Sequence, residues 1–185
     1  VLQKVTRLSD ELLPELRVRM GVIAAEADIE PATTLNEWYD QLSMFEGVRD
    51  VLDMFQPQIF ERSAADMVIA TASKQWRAAH GITMKRSEKV RLVKQAEDLV
   101  RPGVYVDDLH RRLLLVQEHR EAWRSQCNAD GWPTLPQRLD DARELTKRIS
   151  DDLASLEPQF STAHKNFTEM SVVDVAELFD ALAHD

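Results

Sequence analysis

The sequence predicts an all-α protein, a helical bundle with a long antiparallel helical hairpin that resembles a coiled-coil arm. Two runs within 107–157 carry apolar residues at steps of three and four, the spacing that lines one face of a helix. Gly is scarce, at 5 of 185 residues, while residue types that favour helix are frequent. Few stretches show the alternation typical of a half-buried strand. We therefore expect about seven to nine helices.

The hairpin is predicted from these two apolar runs and from the turn between them. Residues 128–133 contain Gly131 and Pro133, which end one helix and precede the next. Arg120 interrupts the first run; it either pairs with an acid of the second helix or extends to solvent. The first run is Leu109, Leu113, Val116, Trp123 and Cys127, and the second is Leu139, Ala142, Leu145, Ile149, Leu153 and Leu156.

The remaining helices have recognisable starts and ends. An apolar face runs from Leu2 to Ile23, with Pro14 predicting either a kink or a fresh start after Ser9. The sequence from Thr34 to Glu37 is a capping box that begins a helix ending before Pro57. Further predicted features are a short helix capped at Ser63, a less regular segment 73–83, a helix over about 86–100 and a last helix capped at Ser171.

These elements predict three segments. Residues 1–104 form part of a bundle, 105–158 form the hairpin, and 159–185 form C-terminal helices that pack back on the bundle. The chain begins at Val1, inside a predicted helix, and ends in a helix at Asp185. We expect from this that the sequence is part of a longer protein.

Motifs that carry chemistry are absent from the sequence. It contains no phosphate-binding loop, dinucleotide fingerprint, zinc motif or nucleophile elbow. No two of the five His share a helical face at i, i+4 spacing. Adjacent acids such as Asp140 and Asp141 point about 100° apart on a helix, so they cannot form a facing pair. We expect no catalytic residue, no metal site and no cofactor.

The sequence also restricts the compartment. Its single Cys, Cys127, excludes an internal disulfide and fits a reducing environment. It has no signal peptide, no lipidation motif and no apolar stretch near 18 residues. We expect a cytoplasmic protein without a membrane partner.

Charge is unevenly distributed along the chain. The net charge is −9, but residues 74–112 hold 10 Lys+Arg against 5 Asp+Glu. This excess predicts contact with the phosphate backbone of DNA or RNA through 85–101. A solvated helix face neutralised by acidic neighbours is the alternative. The predicted contact residues are Lys85, Arg86, Lys89, Arg91, Lys94 and Arg101.

Two tryptophans are further candidates for a site. Trp132, between Gly131 and Pro133, either caps the hairpin tip or anchors a protein partner. Trp76, beside Arg77, either packs in the interior or stacks on a nucleic-acid base.

Parts of the sequence resemble the helical middle region of large helicase-like P-loop ATPases related to superfamily I. The resemblance covers roughly 45–157 and lies in the runs VLDMFQPQIFER (51–62), ATASKQWR (70–77) and LVRPG (99–103), together with the hairpin. It implies an accessory, all-helical insertion of a DNA- or RNA-dependent motor. The ATPase motifs of those proteins lie in separate segments and none occurs here, so no catalytic residue is carried over.

Two functional hypotheses follow. The first is a non-catalytic module of a larger nucleic-acid-dependent ATPase or helicase. The second is a protein–protein interaction or oligomerisation domain with no nucleic-acid role, which binds another chain or other domains of the same chain through the hairpin or Trp132.

Overall fold

The computed structural model describes residues 1–61, 63–126, 135–160 and 166–184, and helices dominate these ranges. No strand forms within them; two isolated bridges join Thr34 to Ser171 and Phe55 to Val100. The all-α prediction is confirmed. The α-helices are α1 (Leu2–Arg7), α2 (Leu13–Ala27), α3 (Leu35–Met54), α4 (Ala64–Thr71), α5 (Lys74–Ala79), α6 (Arg86–Asp98), α7 (Leu109–Gln126), α8 (Leu139–Leu156) and α9 (Val172–His184). A π-helical segment spans Leu8–Leu12, and 3-10 turns span Pro57–Phe60 and Glu157–Gln159.

The interruption predicted at Pro14 is a change of helix type. The chain stays helical from α1 through the π segment into α2, where Pro14 lies in the first turn. Pro lacks an N–H, and in a regular helix its ring clashes with the carbonyl four residues earlier. The wider π turn just before Pro14 relieves that clash. The alternative of a fresh start after Ser9 is therefore wrong.

The chain divides into two compact units. The terminal unit comprises residues 1–45 and 126–185, and the central unit comprises residues 46–125. Helix α7 lies almost wholly in the central unit and α8 in the terminal unit, while the predicted turn at 128–133 lies outside the described residues. The pairing of α7 with α8 into a hairpin, and the division at 104/105 and 158/159, stay predictions.

The terminal unit buries the apolar faces of α2, α8 and α9. Every member of the apolar run predicted for α8, from Leu139 to Leu156, is buried. Trp38 of α3 is fully buried, and its indole Nε1–H donates to Thr146 Oγ1 at 2.8 Å. On the side of α1, Arg7 Nη2 lies 2.7 Å from Asp152 Oδ2. This ion pair and the Trp38 hydrogen bond satisfy polar groups of α8 that are otherwise removed from water.

Helix α3 begins at the predicted capping box, with one displacement. Thr34 Oγ1 accepts a hydrogen bond from the backbone N–H of Glu37 at 3.1 Å, as predicted. The carboxylate of Glu37 does not bind the backbone N–H of Thr34, as a capping box predicts, but that of the residue before it. It accepts hydrogen bonds from Thr33 N at 2.7 Å and from Thr33 Oγ1 at 2.8 Å. These hydrogen bonds, chiefly the one from the Thr33 backbone, hold the pKa of Glu37 below its ordinary value of 4.5.

A pH dependence of stability follows from Glu37. Because its pKa is lowered in the folded state, its stabilising contribution is complete above the ordinary value of 4.5 and is lost as the pH falls through the lowered pKa. We expect Glu37→Gln to make the free energy of unfolding depend less steeply on pH below that value. Urea unfolding at a series of pH values measures this. Asp40→Asn, at an exposed position of the same helix, is the control, and equal slopes in the two variants would contradict the assignment.

The central unit is built around α4, α6, α7 and the C-terminal part of α3. Helix α4 packs on α6, where Leu92 and Ala96 are buried. The ends of α3 and α6 are tied together by two backbone hydrogen bonds, from Gln56 N to Leu99 O and from Arg101 N to Met54 O, each 2.8 Å. The C-terminal end of α6 is thereby fixed relative to α3. Its N-terminal end, at Arg86, follows the loop after Gly81.

Candidate nucleic-acid interface

The five cations of 85–94, here called the basic segment, extend from the N-cap of α6 into its C-terminal half. Lys85 is the N-cap residue in an extended conformation, and no side chain caps the first turn. The burial of Leu92 and Ala96 fixes which side of the helix faces the core. Four of the five cations are exposed and Lys89 is half-buried; the segment comprises Lys85, Arg86, Lys89, Arg91 and Lys94.

Ion pairing of the basic segment bears on how easily it can contact an anion. Within the described ranges, none of its five members forms an ion pair, although Glu88 lies among them in the sequence. Exposed, unpaired cations keep their attraction for mobile anions. This part of α6 can therefore contact a phosphate group without first breaking a salt bridge.

The order of charges along α6 opposes its helix dipole. The dipole favours anions at the N-terminus and cations at the C-terminus, each by about 0.3–1 kcal/mol. Helix α6 has Lys85 and Arg86 at its start, with Glu88 also in the first turn, and Glu97 and Asp98 in its last turn, where no basic residue occurs. The cations and the free N–H groups of the first turn attract anions to the same end of the helix. Helix stability does not explain this arrangement.

Arg101 is placed differently from the basic segment. Its guanidinium Nε donates a hydrogen bond to Leu52 O, its backbone N–H donates to Met54 O, and its side chain is half-buried. These contacts give Arg101 a structural role at the junction of α3 and α6. We therefore leave it out of the set that carries the functional proposal.

Trp76 lies in a cluster of aromatic rings. Its ring stacks on His80 with a centroid distance of 3.9 Å and meets His110 edge-on at 5.1 Å. His110 Nδ1 is 2.9 Å from Val68 O, so this nitrogen carries the proton that the carbonyl accepts. Ser73 Oγ accepts from Trp76 N at 3.0 Å and caps α5. Trp76 is half-buried, and packing accounts for these contacts.

Three other residues singled out from the sequence bear on the hairpin. Trp132 lies outside the described residues, as does Cys127. Arg120 is half-buried; burial, and to a smaller extent the charge of Arg124, lowers the pKa of its guanidinium below its ordinary value. Its pairing with an acid of α8 stays a prediction.

Sequence reasoning did not anticipate a cavity of about 290 Å³ in the central unit. Asp50 and Asp53 of α3 lie on one side, and Arg112 and His119 of α7 on the other; Val51, Met54, Phe55 and Leu115 complete the lining. No hydrogen bond joins His119 to either of these two acids, so the lining contains no assembled acid–base pair. Across the described ranges, no group of three His, Cys, Asp or Glu is arranged to hold a metal ion.

Formal charge differs strongly between the two units. The central unit holds 14 Lys+Arg against 12 Asp+Glu, net +2, while the terminal unit holds 9 against 20, net −11. The basic segment thus belongs to the less acidic unit. Anions are attracted to the central unit and repelled from the terminal one.

Comparisons with known proteins leave the resemblance to helicases as a prediction. No protein-family model, no curated protein and no solved structure matches the chain. In the described part of the chain, no helix has both the length and the apolar character needed to cross a bilayer.

Proposed function

We propose that this chain is a non-catalytic, cytoplasmic helical module of a larger protein, which contacts the phosphate backbone of DNA or RNA through the basic segment of α6. In this proposal the larger protein is a nucleic-acid-dependent ATPase or helicase. The observation that supports it most is the set of five cations along α6, which form no ion pair within the described residues. Two of them, Lys85 and Arg86, stand at the start of the helix, where its dipole disfavours cations.

The expected binding is electrostatic and independent of sequence. Each phosphate neutralised by Lys or Arg releases condensed counterions, so log K falls with log salt by about 0.9 per contact on duplex DNA. Affinities for such contacts lie at about 10⁻⁴–10⁻⁶ M. The excess of acids in the terminal unit opposes non-specific wrapping, so contact is confined to the central unit.

Substitution of three of these cations tests the proposal. We expect Lys89/Arg91/Lys94→Ala to weaken binding to labelled single- and double-stranded DNA by about tenfold or more at low salt. The slope of log K against log salt should also become less steep, by the amount expected for the loss of up to about three phosphate contacts. Fluorescence anisotropy at low and moderate salt measures both quantities.

A matched control removes the same charge elsewhere. Arg143/Lys147/Arg148→Ala takes three exposed cations from α8 in the terminal unit. This control should reduce affinity only slightly. No binding by the unmodified protein at low salt, or an equal loss in the two triple variants, would overturn the proposal.

The alternative is an interaction or oligomerisation domain with no nucleic-acid role. A patch of exposed valines on the terminal unit favours a protein contact of some kind. This alternative expects association that ignores the α6 cations and depends on Trp132. Size-exclusion chromatography with light scattering, on the unmodified protein and on Trp132→Ala, distinguishes it from the first proposal.

A further inference from the structure

Helix α2 is apolar on two opposite faces. One face packs in the core of the terminal unit through Leu13, Leu16, Met20, Ile23, Ala24 and Ala27. The outer stripe, defined as Pro14, Val18, Gly21, Val22 and Ala25, recurs at helical spacing on the opposite face, and all its members are exposed. Val18 and Val22 are 68% and 40% exposed. A surface helix normally has a polar outer face, so within the described part of the chain this stripe is an unpartnered apolar surface.

A groove of about 270 Å³ borders the outer stripe. Arg17, Met20 and Gly21 of α2 form one wall, with residues 31–33 and 171–173 opposite. Val173 in this lining is 46% exposed. The stripe forms a ridge and the groove lies beside it. A side chain of a second helix can insert into the groove while the rest of that helix packs on the stripe.

Gly21 is not explained by packing within the chain. Gly is unfavourable in a helix interior, and Gly21 is not one of the glycines with positive φ. A Cβ added at Gly21 would meet no atom of the described residues within 4 Å, whereas one at Gly47 would lie 2.2 Å from His119 Nδ1. Close approach of an external backbone gives a reason for a Gly at this point of the stripe.

We propose that the outer stripe and its groove bind an amphipathic helix of a partner protein, with an apolar face and basic flanks. Charge complementarity identifies these flanks, because the terminal unit has a net charge of −11. Within 11–28, the acids Glu11, Glu15, Glu26 and Asp28 outnumber the cations Arg17 and Arg19, of which Arg17 lines the groove. A second copy would place another terminal unit, also of net charge −11, against the first, which disfavours self-association through α2.

The probe is a synthetic amphipathic helix of about 18 residues, with Leu on one face and Lys on both flanks. A scrambled peptide of the same composition has the same charge but no apolar face. We expect the amphipathic peptide to bind the full chain at least about tenfold more tightly than the scrambled one in fluorescence anisotropy. A third peptide with Glu flanks should bind more weakly than the Lys peptide.

Val18→Glu separates docking from simple charge attraction. It adds a negative charge, so non-specific attraction of a basic peptide would increase, whereas docking on the stripe should fall by about tenfold or more. Gly21→Leu should produce a similar loss by blocking close approach. Val90→Glu is the matched control, since Val90 is 61% exposed on α6, and it should leave docking unchanged. Because Val18 is already in solvent, circular dichroism should show an unchanged fold.

Three outcomes would overturn the inference. Equal or tighter binding of the Lys peptide to Val18→Glu would mean attraction by charge alone. Equal binding of the Glu-flanked peptide would remove the argument for basic flanks. A dimer in light scattering that Val18→Glu dissociates would make a second copy the occupant. None of these outcomes bears on the DNA measurement, which concerns the other unit.

Discussion

Replacing Thr146 by Val should lower the free energy of unfolding by about 2 kcal/mol. Val has nearly the shape of Thr, so no cavity forms, but the fully buried indole Nε1–H of Trp38 loses its 2.8 Å acceptor. A buried donor without a partner costs about 1–3 kcal/mol. Denaturant unfolding followed by circular dichroism measures the change.

Two further variants isolate the hydrogen bond. Thr146→Ser keeps the hydroxyl and loses one methyl group, at a cost of about 1 kcal/mol. In a Trp38→Phe background there is no indole donor, so Thr146→Val should cost much less than in the unmodified protein. The same cost in both backgrounds would show that the hydrogen bond contributes nothing measurable.

Replacing Gly47 by Ala should lower the free energy of unfolding by about 1–2 kcal/mol. An added Cβ would lie 2.2 Å from His119 Nδ1 and 2.8 Å from its Cγ, far inside van der Waals contact. The imidazole must then move off α3, and overpacking of this kind costs about 1–3 kcal/mol. The better helix propensity of Ala returns up to about 1 kcal/mol, which is included in the net value.

A double-mutant cycle with His119 identifies the cause. In a His119→Ala background the obstruction is gone, and Gly47→Ala should become neutral or stabilising. Gly21→Ala, where an added Cβ meets nothing, should stabilise the free protein by about 0.5–1 kcal/mol. A loss of stability at Gly47 that persists without the imidazole would refute the steric explanation.

The sequence predicted features that depend on neighbouring residues in the chain. The buried run of α8 follows from helical spacing, and the cap at Ser171 was predictable because its hydroxyl accepts from Asp174 N, three residues on. The basic segment was likewise predictable, since it lies on one short helix. The lack of ion pairs in the basic segment, within the described residues, was not predictable, because ion pairing depends on which acids the fold brings close.

Features that depend on distant contacts were missed. In the sequence, nothing distinguishes Arg101 from Arg91. In the fold, the carbonyl of Leu52 near the end of α3 accepts a hydrogen bond from Arg101. The contact of Gly47 with His119, and the cavity beside it, join residues that no local pattern relates. The outer stripe of α2 was missed because the apolar face from Leu2 to Ile23 already accounted for this helix, and only the fold shows that a second apolar face stays exposed.

The π segment has a consequence for the rotational phase of the first helices. A π turn contains more residues than an α turn, so each of its residues advances the helix by less than about 100°. The faces of α1 and α2 that pack on the core are therefore rotated relative to their positions in one continuous α-helix. Two consecutive leucines, Leu12 and Leu13, are both buried at this point. The angular setting of α1 therefore depends on these few residues, and with it the direction in which Arg7 reaches Asp152. The rotation of α1 that lets Arg7 reach α8 is thus set by the local π geometry of Leu8–Leu12, in addition to the contacts along α1.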